Sequence, residues 1–414
     1  MSEHVYILGT GMIRFAKYPD KSMKQLTAEA VASLLQEVPI DVKEIEAAWF
    51  SNSGWGSSSE QHCIRGQVAL APLGIEGLPI VNVENACAGG STAVHQAWTA
   101  IKAGLYDVVL AVGAEKVWFP EDKEKMFRGF ISGTDVELFT PLLEMMKAEA
   151  ARKAKEMAPG VKQKEGGRSA FMDVYAMGAR LHMDCYGTTQ RQLATIAAKN
   201  HHHGSLNSLA QYQNDMTVDE VLEDILIAYP LTRSMCAPIG DGAAAALICS
   251  ERALKRYPQA RPVKIRASLL ASGARDESNL DPISYRLARQ GYEVSGLGPE
   301  EISVAELHDA TAFGELKQCE ELGFCPEGEG GPLAESGATK LGGKIPINTS
   351  GGLECRGHPI GASGIAQICE LVTQLRGAAG ARQVQDARIG LALNGGGFIG
   401  LGEAAMCLHI FEKV

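Results

Sequence analysis

Two glycine-rich turns in distant parts of this 414-residue chain follow one pattern, and they constrain the fold more than any other feature. The first turn, 83–93, joins an apolar, β-prone segment at 78–83 to a helix-like segment at 88–98. The second turn, 350–364, runs into a helix-like segment at 365–375. Each helix is followed by a strand-like segment, at 108–112 and at 389–393. An internal duplication accounts for this repetition and predicts two similar halves.

The segments around these turns alternate between strand and helix. Strand patterns at 5–8, 46–51, 80–83 and 108–112 are separated by helix patterns at 23–36, 62–71 and 92–103. The same order returns after about residue 263, which predicts parallel strands with helical crossovers. The segment 118–229 differs, with a charged helix-like stretch at 136–157, a loop at 160–168 and a helical region at 188–200. We therefore predict a first half at 1–117 and 230–255, an insertion at 118–229, and a second half at 256–414.

Cys87 lies in the first turn, where a strand ends and a helix begins. Free backbone N–H groups at a helix start can lower the pKa of a thiol from its usual value of about 8.5, so this position is expected to favour the thiolate. The alternative is a buried, inert cysteine, which is common in protein cores. His358 lies in the second turn. If the halves meet about a pseudo-twofold axis, Cys87 and His358 face each other as a nucleophile and its base.

Four motifs resemble those of the thiolase superfamily, in the same order and over essentially the whole chain. They are Asn85-Ala86-Cys87-Ala88-Gly89-Gly90, His308-Asp309-Ala310, Gly357-His358-Pro359-Ile360-Gly361-Ala362-Ser363-Gly364 and Gly395-Gly396-Gly397. The His-Asp pair makes the chain most similar to the sterol-carrier-protein branch. The resemblance implies an α/β thiolase fold, with two duplicated βαβαβαββ halves in five αβαβα layers. It also implies that the insertion is a lid.

The resemblance implies an acyl-CoA C-acyltransferase that cleaves a 3-oxoacyl-CoA with CoA through an acyl-enzyme on Cys87. His358 would take protons from Cys87 and CoA, and His308 would hold a water or the thioester oxygen and stabilise the enolate that forms there. A second oxyanion hole would combine the Cys87 N–H with that of Gly395 or Gly396. CoA is expected as a substrate, with no tightly bound cofactor and no metal.

The second acid/base of the family is missing from its usual places. Thiolases carry a cysteine in the C-terminal loop, or two residues after the motif histidine in the sterol-carrier branch. This chain has Leu393 or Asn394 at the first place and Ala310 at the second. Cys355, three residues before His358, is the predicted substitute. If Cys355 is instead a small buried residue, protonation of the enolate falls to His308 or to water.

The resemblance extends to thiolases that split benzoylsuccinyl-CoA into benzoyl-CoA and succinyl-CoA. That substrate carries a free carboxylate, for which Arg356 or Arg65 is the predicted partner. Related chains work with a separate zinc-ribbon/OB-fold subunit, so an accessory partner is expected here, as is a homodimer.

The overall charge narrows the possible partners. A formal net charge of −10 argues against binding to nucleic acid or to an anionic membrane surface. No segment reaches the roughly 18 apolar residues of a membrane span. The ten cysteines are scattered without a C-x-x-C pair, which indicates neither a zinc ribbon nor a disulfide framework. These features predict a cytoplasmic protein.

Two other functions remain open. One is a thiolase-fold aldolase or condensing enzyme, such as a steroid side-chain aldolase or a partner in hydroxymethylglutaryl-CoA formation. The other is a non-catalytic subunit that binds acyl-CoA. Retention of both Cys87 and His358 argues against each of them.

Overall fold

The computed structural model describes residues 4–122, 126, 130–137, 145, 152, 169–276, 280–400 and 402–414. The strands are β1 (Val5–Met12), β2 (Ala47–Ser51), β3 (Ile80–Val83), β4 (Val108–Glu115), β5 (Leu226–Ala228), β6 (Leu231–Thr232), β7 (Gly242–Ser250), β8 (Val263–Ser272), β9 (Val304–Glu306), β10 (Ile389–Ile399) and β11 (Gly402–Lys413). The α-helices are α1 (Met23–Glu37), α2 (Trp55–Ser59), α3 (Arg65–Leu70), α4 (Gly89–Lys102), α5 (Ala170–Tyr186), α6 (Gln190–Ser205), α7 (Val218–Glu223), α8 (Glu251–Leu254), α9 (Ile283–Ser295), α10 (Ala312–Glu321), α11 (Gly330–Glu335), α12 (Gly352–Arg356) and α13 (Ser363–Leu375).

The main sheet shows the predicted duplication. Its order is β3-β2-β4-β7-β1-β8-β11-β10-β9, and two residue pairs between β1 and β8 join its halves. In the first half, β2 pairs in parallel with β3 and β4, and β7 runs antiparallel to β4 and β1. In the second half, β9 pairs in parallel with β10, and β11 runs antiparallel to β10 and β8. A bridge from Ala305 to Ile347 stands where β3 stands in the first half.

Helices α4 and α13 lie between the two halves and form the central layer. Side chains of both helices share one buried core with strands of both halves, including Val94 and Ile101 of α4 and Ile365 and Leu371 of α13. Helices α1 and α3 cover the outer face of the first half. Helices α9 and α10 cover the outer face of the second half. The predicted α/β class, with duplicated halves and five αβαβα layers, is confirmed.

The described part of the predicted insertion is mainly helical. Helices α5 and α6 pack with Phe313 and Leu316 of α10 and with Phe398 of β10, so they contact the second half. The helix-like stretch at 136–157 and the loop at 160–168 lie almost entirely outside the described residues, and the lid stays a prediction, as do the domain boundaries. In the described part of the chain, no helix has the length and apolar character needed to cross a bilayer.

Candidate active site

Cys87, His308 and His358 meet in one cluster. The cysteine sulfur and one nitrogen of each imidazole all lie within 4.8 Å of one another. The two rings are edge-to-face, with centroids 5.3 Å apart. Cys87 and His358 are partly exposed, whereas His308 is buried. The structure therefore brings together the predicted nucleophile, base and oxyanion donor.

A strained turn presents Cys87 at the start of α4. Ala86 has a φ of +46°, in the left-handed region that side chains rarely adopt. The Glu84 carboxylate accepts a hydrogen bond from the Ala86 N–H at 2.7 Å, and the Asn85 amide donates to the Thr92 hydroxyl at 3.1 Å. These bonds hold the turn in shape, so the sulfur has a defined position.

Glycines let two other segments approach this turn closely. A Cβ on Gly90 would lie 2.9 Å from the Gly361 carbonyl oxygen, and a Cβ on Gly396 would lie 2.9 Å from the Cys87 nitrogen. Neither separation is compatible with a side chain. Gly90 thus brings the His358 loop against the nucleophile turn, and Gly396 does the same for the end of β10.

Burial controls the protonation of Cys87. Desolvation, together with the Glu115 and Glu84 carboxylates, raises the pKa of the thiol to about 12, although the N–H groups of Gly397 and of Cys87 itself lower it. The expectation that the helix start favours the thiolate is therefore wrong, because desolvation outweighs the local dipoles. The resting side chain is a neutral thiol that needs a base.

His358 is held as that base. Its Nδ1 lies 2.7 Å from the Ser363 hydroxyl, which itself donates to the Pro359 carbonyl oxygen at 2.9 Å. Because the hydroxyl proton is already used, Ser363 accepts from Nδ1–H, and Nε2 keeps a free lone pair. Burial, with His308 and Arg356 nearby, holds the pKa of His358 well below its usual value, so the imidazole is neutral.

His308 has the opposite tautomer. The Asn394 amide nitrogen lies 3.0 Å from Nδ1 and donates to it, so the proton of the neutral ring is on Nε2. Burial lowers the pKa of His308 to about 4. The Gln318 side chain accepts from the His308 N–H at 2.8 Å and donates to its carbonyl at 2.9 Å, which fixes the backbone. Nε2–H is therefore the hydrogen-bond donor that the His308 ring can offer to a bound oxygen.

Asp309 links the two histidine loops. Its carboxylate accepts from the N–H groups of Leu353 at 2.7 Å and Glu354 at 3.3 Å, at the start of the short helix α12 that leads to His358. In the His-Asp motif, His308 thus belongs to the cluster, and Asp309 holds the start of the helix that leads to His358. The sequence marked Asp309 as part of the motif without indicating this role.

Glu115 is a second supporting carboxylate that sequence reasoning missed. At the end of β4, it accepts from the N–H groups of Ser53, Gly54 and Gly361 at 3.0–3.1 Å and from the Asn52 amide at 2.9 Å. Burial raises its pKa. Four convergent donors join the His358 loop to the first half of the sheet.

The predicted oxyanion glycines have different positions. A Cβ on Gly395 would face His308 Cδ2 and Met406, whereas Gly396 packs against the backbone of the nucleophile turn. The backbone N–H groups that lower the pKa of the Cys87 thiol are those of Gly397 and of Cys87 itself, and the sequence had not singled out Gly397 for this purpose. Gly397 has a φ of +65°, so its glycine character is a signal that could have found it.

Cys355 is not part of the cluster. Its fully buried sulfur donates to the Tyr212 carbonyl at 3.1 Å and lies 3.7 Å from His201 Nδ1 of α6. Burial raises the pKa of this thiol. The predicted substitute acid/base therefore contacts His201 and Tyr212 and neither histidine of the cluster, and the geometry gives that role no support.

Neither predicted carboxylate-binding arginine reaches the cluster. Arg356 is 1% exposed, and its Nη1 lies 3.2 Å from Glu306 Oε2 and from the Ser350 hydroxyl. It lines a separate cavity of about 250 Å³, to which none of the three cluster residues contributes. Arg65 Nη1 donates to the Asn52 carbonyl at 2.6 Å. Both guanidinium groups support loops.

Comparison with known proteins agrees with this geometry. The family described as "Thiolase, N-terminal domain" matches residues 5–252, and "Thiolase C-terminal domain-like" matches residues 281–408. Two structures share the fold. One is the Ltp2-ChsH2(DUF35) aldolase, at 22% identity and a TM-score of 0.76. The other is human mitochondrial 3-ketoacyl-CoA thiolase in complex with CoA, at 15% identity and a TM-score of 0.70. The matches cover 99% and 100% of this chain and 98% of each of those chains.

Three curated proteins are similar in sequence over most of their length. The acetyl-CoA acetyltransferase of Methanothermobacter thermautotrophicus is 35% identical, over 99% of both chains. Sterol carrier protein 2 of Oryctolagus cuniculus is 35% identical, over 97% of this chain and 71% of that protein. The benzoylsuccinyl-CoA thiolase subunit BbsB of Thauera aromatica is 33% identical, over 93% of this chain and 92% of that protein. With the Cys-His-His cluster in place, this chain belongs to the thiolase family and is an acyltransferase.

Proposed function

We propose that this chain cleaves a 3-oxoacyl-CoA by thiolysis through an acyl-enzyme on Cys87. The observation that carries the proposal is the different partner of each ring, the Ser363 hydroxyl at His358 Nδ1 and the Asn394 amide nitrogen at His308 Nδ1, from which we assign opposite tautomers. In these tautomers His358 Nε2 carries a free lone pair, and His308 Nε2–H is a hydrogen-bond donor. One histidine can therefore accept a proton while the other stabilises negative oxygen.

The first half-reaction begins when the Cys87 sulfur attacks the keto carbon and its proton passes to His358 Nε2. The bond between the keto carbon and the α carbon then breaks. The electron pair forms the enolate of the shorter acyl-CoA, whose oxygen accepts from His308 Nε2–H. Because Cys355 lies outside the cluster, His358 returns its proton to the α carbon. The first product leaves, and the acyl group stays on Cys87.

In the second half-reaction CoA gives its thiol proton to His358 and attacks the acyl-enzyme carbonyl. The oxyanion of this tetrahedral intermediate would accept from backbone N–H groups of Cys87 and the 395–397 segment. Collapse of the intermediate releases the Cys87 thiolate, which recovers the proton from His358. Protons and electrons balance over the cycle, so no cofactor is required.

For the acyl group, we propose a short, uncharged 3-oxoacyl chain such as acetoacetyl-CoA. The acetyltransferase similarity over 99% of both chains supports it. Benzoylsuccinyl-CoA is the second candidate, supported by the 33% identity to BbsB. The engagement of Arg356 and Arg65 in loop contacts removes the two side chains that were expected to bind its carboxylate.

Intact-mass spectrometry after incubation with each thioester tests the proposal. An acetyl or benzoyl adduct on the wild type, absent from Cys87→Ser, is the expected result, and the adduct mass identifies the substrate. Cys355→Ala is the matched control and should keep the adduct. Turnover by Cys87→Ser without any adduct would move the protein to the aldolase class.

We also propose a homodimer and a small zinc-ribbon/OB-fold accessory subunit, in the cytoplasm. The exposed sheet edge at β3 supports the dimer, since Val81 there is 40% exposed. The composite name of the Ltp2-ChsH2(DUF35) neighbour supports the accessory subunit. Light scattering coupled to gel filtration, on the chain alone, tests the dimer. Affinity capture with OB-fold candidates tests the accessory subunit.

A further inference from the structure

We propose that Cys87, His308 and His358 also form a site for Zn²⁺ or another soft divalent ion, which inhibits the enzyme by occupying its nucleophile. Their donor atoms lie within 4.8 Å of one another. Tetrahedral zinc, with Zn–S of about 2.3 Å and Zn–N of about 2.0–2.1 Å, separates its ligand atoms by roughly 3.3–3.6 Å. Side-chain adjustments of about 1 Å close that difference. Three protein ligands leave a fourth position for water.

The donor types suit this ion. One thiolate and two imidazoles are ligands that zinc prefers, and the cluster offers one sulfur and two imidazole rings. His358 donates Nδ1–H to Ser363, the support that metal-bound histidines commonly have. On binding, a Zn–S bond forms and the Cys87 proton passes to solvent. Cys87 and His358 are partly exposed, so an ion can enter.

His308 must change tautomer to become a ligand. With the Asn394 nitrogen donating to Nδ1, its proton is on Nε2, which then cannot bind a metal. The other end of the same amide is available. Asn394 Oδ1 is buried and has no hydrogen-bond partner among the residues that the structure describes. Rotating the amide by half a turn places this oxygen against Nδ1–H and frees Nε2. The Asn394 amide thus selects between an oxyanion donor and a metal ligand.

Zn²⁺ affinity can be measured without turnover, so the result does not depend on whether the chain catalyses thiolysis. CoA is left out because its thiol binds Zn²⁺. Equilibrium dialysis with ZnCl₂ should give one tight site per chain, and Co²⁺ should give a thiolate-to-cobalt charge-transfer band. Cys87→Ser should lose both. A variant with Cys63→Ser and Cys185→Ser, which removes the two exposed thiols, should keep both.

The variant Asn394→Asp distinguishes specific Zn²⁺ binding at this cluster from adventitious binding. Its carboxylate only accepts, so it holds His308 with the proton on Nδ1 and completes a carboxylate–histidine–metal arrangement. We expect Zn²⁺ affinity to rise about 10- to 100-fold, the range over which such outer partners act. The zinc-free kcat should fall, because His308 no longer donates. Unchanged or weaker zinc binding in Asn394→Asp, or a charge-transfer band that survives in Cys87→Ser, would overturn the proposal.

Discussion

Replacing Arg356 with methionine tests whether this guanidinium supports the loop before His358 or binds a substrate carboxylate. Arg356 and Glu306 are 1% and 0% exposed and form an ion pair at 3.2 Å. At a pH where Glu306 is ionised, removing one partner of such a buried pair costs about 3–5 kcal/mol, because the other charge stays buried. Even with Arg356 present, burial raises the pKa of Glu306 to about 7.

The cost of Arg356→Met should depend on pH. In the wild type, folding holds a proton on Glu306 between its unfolded pKa of about 4.3 and its folded pKa of about 7, and stability falls with rising pH across this window. Loss of the positive charge raises the folded pKa further, so the variant continues to lose stability above pH 7. The difference from wild type should therefore grow by about 1.4 kcal/mol per pH unit there.

Urea unfolding at pH 6 and pH 8 measures this difference for Arg356→Met, Glu306→Gln and the double variant. The double variant should recover most of the lost stability, since no unpaired charge remains. Michaelis constants for benzoylsuccinyl-CoA and acetoacetyl-CoA complete the test. Stability equal to wild type in Arg356→Met, with a raised KM only for the substrate that carries a carboxylate, would refute the supporting role.

Three further outcomes are expected. Ser363→Ala removes the acceptor for His358 Nδ1–H, a hydrogen bond worth about 0.5–1.5 kcal/mol. In steady-state assays kcat should therefore fall up to about 10-fold at unchanged KM, and a matching rise in KM would contradict this. Cys355→Ala should leave kcat nearly unchanged, because its sulfur contacts His201 and the Tyr212 carbonyl and neither histidine of the cluster, and a drop of several orders of magnitude would return Cys355 to the reaction. Burial lowers the pKa of His409 to about 3, so its contribution to stability is complete above about pH 6.5 and is lost as the pH falls toward 3. Between pH 7 and 5.5 the wild type should lose about 1.2 kcal/mol more than His409→Gln in urea unfolding, and equal losses would count against the assignment.

The duplicated fold and the Cys87–His358 pairing were predictable because both rest on local patterns. A strand, a glycine-rich turn and a helix can be read from a few residues, and the repeat fixes which turns correspond. Equivalent turns in a duplicated structure meet at its axis. Position within a repeat is therefore enough to bring a nucleophile and a base together.

The roles of Cys355 and Arg356 were not predictable in this way. Both lie within three residues of His358 in sequence, yet α12 turns them toward partners from other segments, His201 and Glu306. The prediction of a low pKa for Cys87 was wrong for a similar reason. The helix start is a local feature, whereas the desolvation and the Glu115 carboxylate that outweigh it come from the assembled fold.

The close approach at Gly90 and Gly361 has a consequence for how such an enzyme could arise. The nucleophile and the base occupy equivalent turns of two halves that share one central layer. Two identical half-length chains would place two copies of the same turn against each other, each carrying either a thiol or an imidazole. Joining the halves in one polypeptide lets each turn carry a different side chain. A single polypeptide thus allows the asymmetry that the chemistry needs.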